Sequence, residues 1–376
     1  MSEQANKGRI WLEIDLDILE ENFKRICQSV SPLKVMAVVK ANAYGLGVLP
    51  IAERLVRAGA AGFCVAELRE AIQLLPLGKP VQILGGLLDS ELEAAVKHRF
   101  ILGITGYEAA KKISDESVRQ GVATEVHFKI DSGMGRLGIL AENALETAKE
   151  VVKLPNLNCC GIYSHFPAAA DDELSLKQAE TVLQIAKELE SAGIHLTKRH
   201  IANSDAINSC PFAKVPEFTH VRAGINLHGA FNAAGEEKIG LRSTVTLKSR
   251  IVQIREMPAE HTIGYDRTCR LSGDTKVATV AAGYADGIPL MLSNRGSVII
   301  RGKVCPILGR ISMDYTTVCV DGIEDLHPGE EVIFIGESGE SRITVGDWAT
   351  LKGTHPYEVL CSIGPRVNRT YLTKGV

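Results

Sequence analysis

From about residue 33 to 230 the chain alternates short apolar runs with longer stretches of helical periodicity. The runs are LKVMAVV (33–39), GFCVA (62–66), VQILG (81–85), FILGI (100–104), EVHFKI (125–130), NCCGIYS (158–164), KRHIA (198–202) and THVRA (219–223). Between them lie amphipathic segments such as AERLVRAG, ELREAIQLL, SELEAAVKH and AENALETAKEVVK. Strands that alternate with helices build a parallel sheet. Eight such units predict a closed (β/α)8 TIM barrel. The competing architecture, an open doubly wound sheet, would be favoured by G-x-G-x-x-G after the first strand, and none is present. Near residue 240 the long helical patterns stop. Alternating strands with Gly/Asp turns follow: STVTLKSRIVQIREM, TKVATVAAGYADG, GSVIIRGKVCPILGRISMDYTTVCV and EEVIFIGES. The expected division is a barrel domain over residues 1–240 and a mostly β domain over 241–376. The early piece RIWLEIDLD (9–17) reads as a strand leading into a helix that Asp15 or Asp17 caps. It precedes the first barrel strand, so the N-terminal segment is free to pair with the C-terminal sheet.

Composition removes several classes of function. The 376 residues are long for one core and ordinary for two. With 45% hydrophobic residues, 23% charged and a net charge of −3, the chain lacks the basic stripe that nucleic acid needs. MSEQANKGRI has no apolar core of a secretory signal, and no run approaches the length of a membrane span. The expectation is a cytoplasmic protein without a membrane or nucleic-acid partner. Nine cysteines, at 27, 64, 159, 160, 210, 269, 305, 319 and 361, form no C-x-x-C pair, and His is not interleaved at metal spacing. They read as small core residues in a reducing compartment, with no metal.

In such a barrel, functional groups gather where strands end and βα loops begin. Lys40 ends the first run and is followed by Ala-Asn-Ala-Tyr-Gly-Leu-Gly (41–47). The fifth run carries Lys129 and leads to Arg136; the sixth ends in Ser164-His165-Phe166; the seventh leads to Asn203-Ser204; the eighth holds Arg222 before Ala-Gly224-Ile225-Asn. A single strand-end Lys is usually a solvated charge, and a single His a structural residue. Lys, His, Arg and Ser at one barrel mouth are harder to explain that way. Buried cations need partners, and a bound anion is the cheapest. A desolvated lysine with cationic neighbours has a lowered pKa and can bond an aldehyde. Ser204 and the Gly224-Ile225 amides suit a phosphate. Pyridoxal 5'-phosphate combines both demands. The bare residues suggest it without excluding other anions.

The segment AVVKANAYGLG (37–47) resembles the cofactor-lysine signature of alanine racemases. The similarity continues through HFKIDSGMGRLG (127–138), IYSHF (162–166), HIANSDA (200–206), VRAGINLHG (221–229), GYDRT (264–268), GYADG (283–287), GRISMD (309–314) and PYEVLCSIGPRVNR (356–369). The resemblance implies a TIM barrel plus a C-terminal β domain. It also implies a head-to-tail homodimer, with each active site finished by the partner's C-terminal domain. It implies interconversion of L- and D-alanine with pyridoxal 5'-phosphate, supplying D-alanine for peptidoglycan. By motif, Lys40 resembles the lysine that carries the cofactor and acts on the D-enantiomer. Tyr265 resembles the opposite base; outside the resemblance it reads as a half-buried strand tyrosine. Tyr44, Asn203, Ser204, Gly224, Ile225 and Tyr357 resemble cofactor contacts, mostly around the phosphate. His165 resembles a residue packed near the cofactor ring, and Arg222 the arginine that faces its nitrogen. Arg136 resembles a contact to the cofactor oxygen and the substrate carboxylate, and Met313 offers that carboxylate a main-chain N–H. Lys129 matches a lysine that is often carbamylated, and Tyr284 an entrance-lining residue.

Inverting a Cα centre requires a proton to leave one face and arrive on the other, so two bases are the simple solution. A tyrosinate needs nearby positive charge, and a hydrogen-bonded His165–Arg222 pair is a candidate source. A racemase of serine or of several amino acids stays open as an alternative. Tyr357 argues for a small substrate. A basic-amino-acid decarboxylase fits GYDRT and GRISMD poorly, and a non-catalytic cofactor carrier resembles a lone barrel. Two local departures stand out: Asp266 and Arg267 where small residues are common, and Ser312 where some members have Cys; the acidic stretch FPAAADDE after His165 reads as a solvated loop.

Overall fold

A computed structural model describes residues 8–169, 172–231 and 238–373. The chain forms two compact units. One takes in the chain up to Ile18 and from Arg242 onward; the other runs from Leu19 to Leu227. In the first unit, strand β1 (Ile10–Asp15) pairs within the C-terminal sheet described below. Asp15 Oδ1 accepts the Asp17 and Ile18 N–H groups at 2.9 Å each and so caps the helix that follows.

The second unit is a parallel barrel. Its strands are β2 (Lys34–Val38), β3 (Gly62–Val65), β4 (Val81–Ile83), β5 (Ile101–Ile104), β6 (Thr124–Asp131), β8 (Leu157–Tyr163), β9 (Lys198–His200) and β10 (His220–Ala223), with a short β7 (Ile139–Leu140) beside β6. Strand order runs β10-β2-β3-β4-β5-β6-β8-β9. The Thr219 N–H on Arg199 O (2.9 Å) and the Arg222 N–H on Ala202 O (3.0 Å) bring β10 back to β9 and nearly close the ring. All eight runs seen in the sequence become strands. The helices between them bury one stripe each. In Val48–Ala58 the buried residues are Val48, Ile51, Ala52 and Leu55, a spacing of three to four, and Gly59 ends the helix at φ 99°.

The barrel interior departs from the usual branched-aliphatic filling. On β6 the apolar Val126, Phe128 and Ile130 are buried, and the alternate residues Glu125, His127 and Lys129 share the opposite face. His127 lies 3.2 Å from Gln82 Nε2 and 3.1 Å from Glu125, and its ring is 5.8 Å from that of His200. Gly161 makes this possible, because a Cβ there would sit 2.3 Å from the His127 ring. The His127 bond and Lys198, 2.5 Å away, hold the Glu125 carboxyl down to about 2 despite its burial.

The C-terminal sheet has the order β16-β15-β18-β11-β1-β20. Its long strand is β11 (Val245–Met257), followed by the hairpin β12 (Thr262–Ile263) and β13 (Cys269–Arg270). Then come β14 (Thr275–Val280), β15 (Ser297–Ile300), β16 (Lys303–Pro306), β17 (Thr316–Cys319), β18 (Glu331–Ser338), β19 (Ser341–Ile343) and β20 (Asn368–Leu372). β1 lies antiparallel to β11, with Leu12 opposite Leu247, and parallel to β20, with Leu12 opposite Arg369. Both Trp11 and Leu12 are fully buried. Among the described residues no helix is long and apolar enough to cross a membrane. All nine cysteines are free; Cys64, Cys210 and Cys305 are buried, whereas Cys361 is exposed. The core reading of the cysteines therefore holds for three of them and fails for Cys361, whose helix presents that position to solvent.

Candidate active site

Lys40 follows β2 and opens a turn of unusual hand. Ala41, Asn42, Ala43 and Tyr44 have φ of 53°, 55°, 53° and 59°, which is one turn of left-handed helix, and Gly45 ends it at φ 80°. L-residues disfavour this conformation by roughly 1–2 kcal/mol each. It persists because neighbours hold it. The Ala43 N–H bonds to Val39 O (2.8 Å) and that of Gly45 to Ala41 O (2.7 Å); Asn42 Oδ1 accepts the Val48 N–H at 2.8 Å. The Ala41 N–H is held by Glu70 Oε1 at 2.5 Å, while Glu70 Oε2 takes the Ala66 N–H at 2.8 Å.

Tyr44 comes back against the eighth strand's loop. A Cβ on Gly224 would lie 2.3 Å from Tyr44 Oη and 3.4 Å from Ser204 Oγ, so glycine leaves room where these groups converge. The Gly224 N–H bonds to Ser204 Oγ and to Asn226 Oδ1, each at 3.0 Å. Asn203 caps the helix Ser204–Ser209 by accepting the Ala206 N–H at 2.9 Å. Asn226 is fully buried, and its Nδ2 has no hydrogen-bond partner. The Ser204 hydroxyl and the Gly224 N–H bond within this buried cradle, and the orphaned Asn226 NH2 is the donor left over for an anion such as a phosphate.

Cations surround the rest of the mouth. Arg222 is 3% exposed, and among the described residues no carboxylate pairs with its guanidinium. It donates to Ser164 O (2.7 Å), Ile201 O (3.0 Å), His200 Nδ1 (2.5 Å) and His165 Nδ1 (3.3 Å). Burial, then Arg222, Arg136, Lys129 and Lys40, push His165 down to about 3, so its ring is neutral. The positive charge of the His165–Arg222 pair therefore belongs to Arg222 alone. Lys129 is 7% exposed and stands 4.7 Å from the Tyr163 ring centroid. Burial, Arg222, Arg136 and Lys40 lower it to about 8, with Asp131 opposing. Arg136 is exposed on a loop wound round Asp131, whose Oδ1 accepts the Gly133 and Gly135 N–H groups at 3.0 and 3.1 Å. Lys40, Lys129, Arg136, His165 and Arg222 thus share one electrostatic neighbourhood. The acidic stretch after His165 falls partly on residues 170–171, outside the described residues.

The C-terminal unit carries the other candidates. Tyr265 is 69% exposed on a tight turn, not half-buried on a strand. Gly264 (φ 73°), Asp266 (φ 57°) and Arg267 (φ 52°) make that turn. Positive φ explains why small residues suit the positions of Asp266 and Arg267, and an ion pair from Asp266 to Arg310 ties the turn down. Tyr284 and Met313 are also exposed. Their segments are joined by the Tyr284 N–H on Ser312 O (3.0 Å) and the Ala285 N–H on Met313 O (3.1 Å), across Gly283. Tyr357 lies on the helix Pro356–Cys361, its ring 5.8 Å from His355. Lys40, Tyr44, Lys129, Arg136, His165, Asn203, Ser204, Arg222, Gly224 and Ile225 belong to one unit, and Tyr265, Tyr284, Met313 and Tyr357 to the other.

Residue-level reading of the sequence missed Glu70, Tyr163, His200 and Asn226. Asn226 stands two residues after Gly224, and His200 opens HIANSDA; both were visible as neighbours of singled-out positions. Glu70 sits in the ordinary amphipathic segment ELREAIQLL and gave no such signal.

The N-terminal domain of the alanine racemase family matches residues 14–231, and its C-terminal domain matches residues 244–371. Alanine racemase 2 of Caldanaerobacter subterraneus subsp. tengcongensis is 38% identical, over 97% of this chain and 95% of that protein. The solved alanine racemase of Clostridium difficile 630 superposes with a TM-score of 0.90 at 34% identity, covering 97% of this chain and 96% of the other. The alanine racemase of Bartonella henselae, solved with covalently bound pyridoxal phosphate, has a TM-score of 0.86 at 27% identity over 97% and 100%.

Proposed function

The chain belongs to the alanine racemase family, and on that premise we propose that it is a cytoplasmic, homodimeric enzyme that interconverts L- and D-alanine by two bases. The observation that carries this reading is the barrel mouth: Lys40 on a constrained turn, a cationic wall, and a buried donor cradle at Ser204, Gly224 and Asn226. Those residues fit pyridoxal 5'-phosphate. Lys40 would hold it covalently; Tyr44, Asn203, Ser204, Gly224, Ile225 and Tyr357 would hold its phosphate side; His165 would pack near the ring. Bound there, the cofactor acidifies the substrate Cα–H by accepting the electron pair left behind.

The protein's own groups then divide the work. Lys40 Nζ removes or delivers the Cα proton on one face, and Tyr265 Oη does so on the other. Arg136 and the Met313 N–H hold the substrate carboxylate. Arg222 would serve the cofactor's ring nitrogen as a donor that does not give up its proton, which would weaken the electron sink and keep the reaction to proton exchange. Tyr265, Tyr284 and Met313 are exposed on their own unit, which supports a site completed by a second subunit, with Tyr284 at its entrance. Tyr357 restricts the substrate side chain to about a methyl group, favouring alanine over serine.

Mixing two inactive variants tests the shared site. Lys40→Ala and Tyr265→Phe chains should each lack alanine racemisation. After subunit exchange, half the dimers carry one intact site of two, so activity should recover to about a quarter of the wild type. No recovery after verified exchange would refute the shared site. Faster turnover of serine than of alanine would refute the substrate assignment. We place the product upstream of peptidoglycan; a cell losing this chain and any other racemase should then need external D-alanine to grow.

A further inference from the structure

We propose that Glu70 is a positioning residue for Lys40, clamping the amide that follows the lysine to the end of the neighbouring strand and so setting the aim of the Lys40 amine. This inference rests on the reading of Lys40 as the base for the D-enantiomer.

The clamp sits where the β2–β3 ladder stops. Met36, Ala37 and Val38 pair with Gly62, Phe63 and Cys64, and the Val39 N–H still reaches Cys64 O at 3.0 Å. Beyond that point one carboxylate replaces the ladder. Glu70 Oε1 takes the N–H of Ala41, just past Lys40, and Oε2 takes the N–H of Ala66, just past β3. Charge-assisted bonds of this kind are stronger than neutral ones. The left-handed turn leaves its Ala41 N–H to an outside acceptor, since its own bonds use the N–H groups of Ala43 and Gly45. Residues in such a conformation stay there only when their surroundings over-determine it. Asn42 fixes the exit of the turn through the Val48 N–H, and Glu70 fixes its entrance. Lys40 is the first residue of that turn, so its backbone direction follows the clamp.

Glu70 also lies in the first turn of the helix Leu68–Gln73, where an acidic side chain is favourable for the helix itself. A role confined to that helix would alter stability and leave the two faces of the substrate equally served. The clamp predicts asymmetry. Glu70→Gln keeps one acceptor and nearly the same shape; Glu70→Ala removes both. In the cofactor-loaded enzyme in D2O, α-deuterium incorporation is followed by NMR from D-alanine and from L-alanine separately. Exchange from D-alanine, which depends on Lys40, should slow about 10-fold in Glu70→Gln and about 100-fold in Glu70→Ala, while exchange from L-alanine changes by less than about 3-fold. In the cofactor-free protein, backbone amides of the 40–47 segment should exchange about 10-fold faster in the variants, with other barrel peptides unchanged.

Equal slowing from both enantiomers, or unchanged amide exchange over 40–47, would overturn the clamp. If Glu70→Ala does not fold, Glu70→Gln decides alone. Tyr265→Phe, run in parallel, should keep exchange from D-alanine and lose it from L-alanine. The reverse pattern there would refute the assignment of faces, while the amide exchange would still report on the clamp.

Discussion

At Lys129 the amine faces Arg222, Arg136 and Lys40, with burial lowering its pKa to about 8. An amine lowered in this way is half unprotonated near pH 8, its free form is a nucleophile for carbon dioxide, and the resulting carbamate would set a negative charge beside Arg222 and Arg136. The chemistry balances as amine plus CO2 giving carbamate plus a proton. Since the free amine is the reactive form, modification should grow as pH rises through about 8 and vanish towards pH 6. We therefore expect 13C-bicarbonate to give a carbamate carbon signal at pH 8.5 that is absent from Lys129→Ala. An unlabelled wild-type protein at that pH would refute the modification. That Lys129 lies on an alternating strand, near its end, was legible in the sequence. Its three cationic neighbours were not, because Arg222 arrives from a strand far along the chain.

Gly224 shows how an element decides a binding site. The tip of the eighth barrel strand can approach Tyr44 and Ser204 only without a side chain, since a Cβ would meet Tyr44 Oη at 2.3 Å. Gly224→Ala should therefore weaken cofactor retention at least 10-fold, roughly 1.4 kcal/mol or more, read by absorbance after dialysis. Retention equal to the wild type would mean that the cradle is elsewhere. Strand and helix alternation announced the barrel, and the eight runs appear as strands. The left-handed turn at 41–44 did not announce itself. Ala, Asn, Ala and Tyr carry no glycine signal at those positions, and only outside acceptors such as Glu70 hold the turn in that hand.

The whole molecule carries an acid-sensitive interior. His127, His165, His200, His220 and His228 are all lowered from their ordinary value by burial first, His165 to about 3 and His220 and His228 to about 4. In the unfolded chain they titrate near 6.5, so unfolding takes up protons below that pH. A group with a depressed folded pKa contributes stability that fades as pH falls from 6.5 towards the folded value, at up to ~1.4 kcal/mol per pH unit for each histidine. The urea midpoint of the cofactor-free protein should fall steadily from pH 7.5 to 5.0. A flat midpoint over that range would mean that these rings are protonated in the fold. By itself, the chain's order of apolar runs determined a parallel barrel followed by a β domain, because periodicity is a local property of neighbouring residues. Its motifs also singled out Lys40 and Tyr265 as the candidate bases. Only the tertiary structure decided the polar barrel interior, the company kept by Lys129 and Arg222, and the clamp on the Lys40 turn. Each depends on strands brought side by side from distant parts of the chain, where burial and neighbouring charge, not residue type, determine how a side chain behaves.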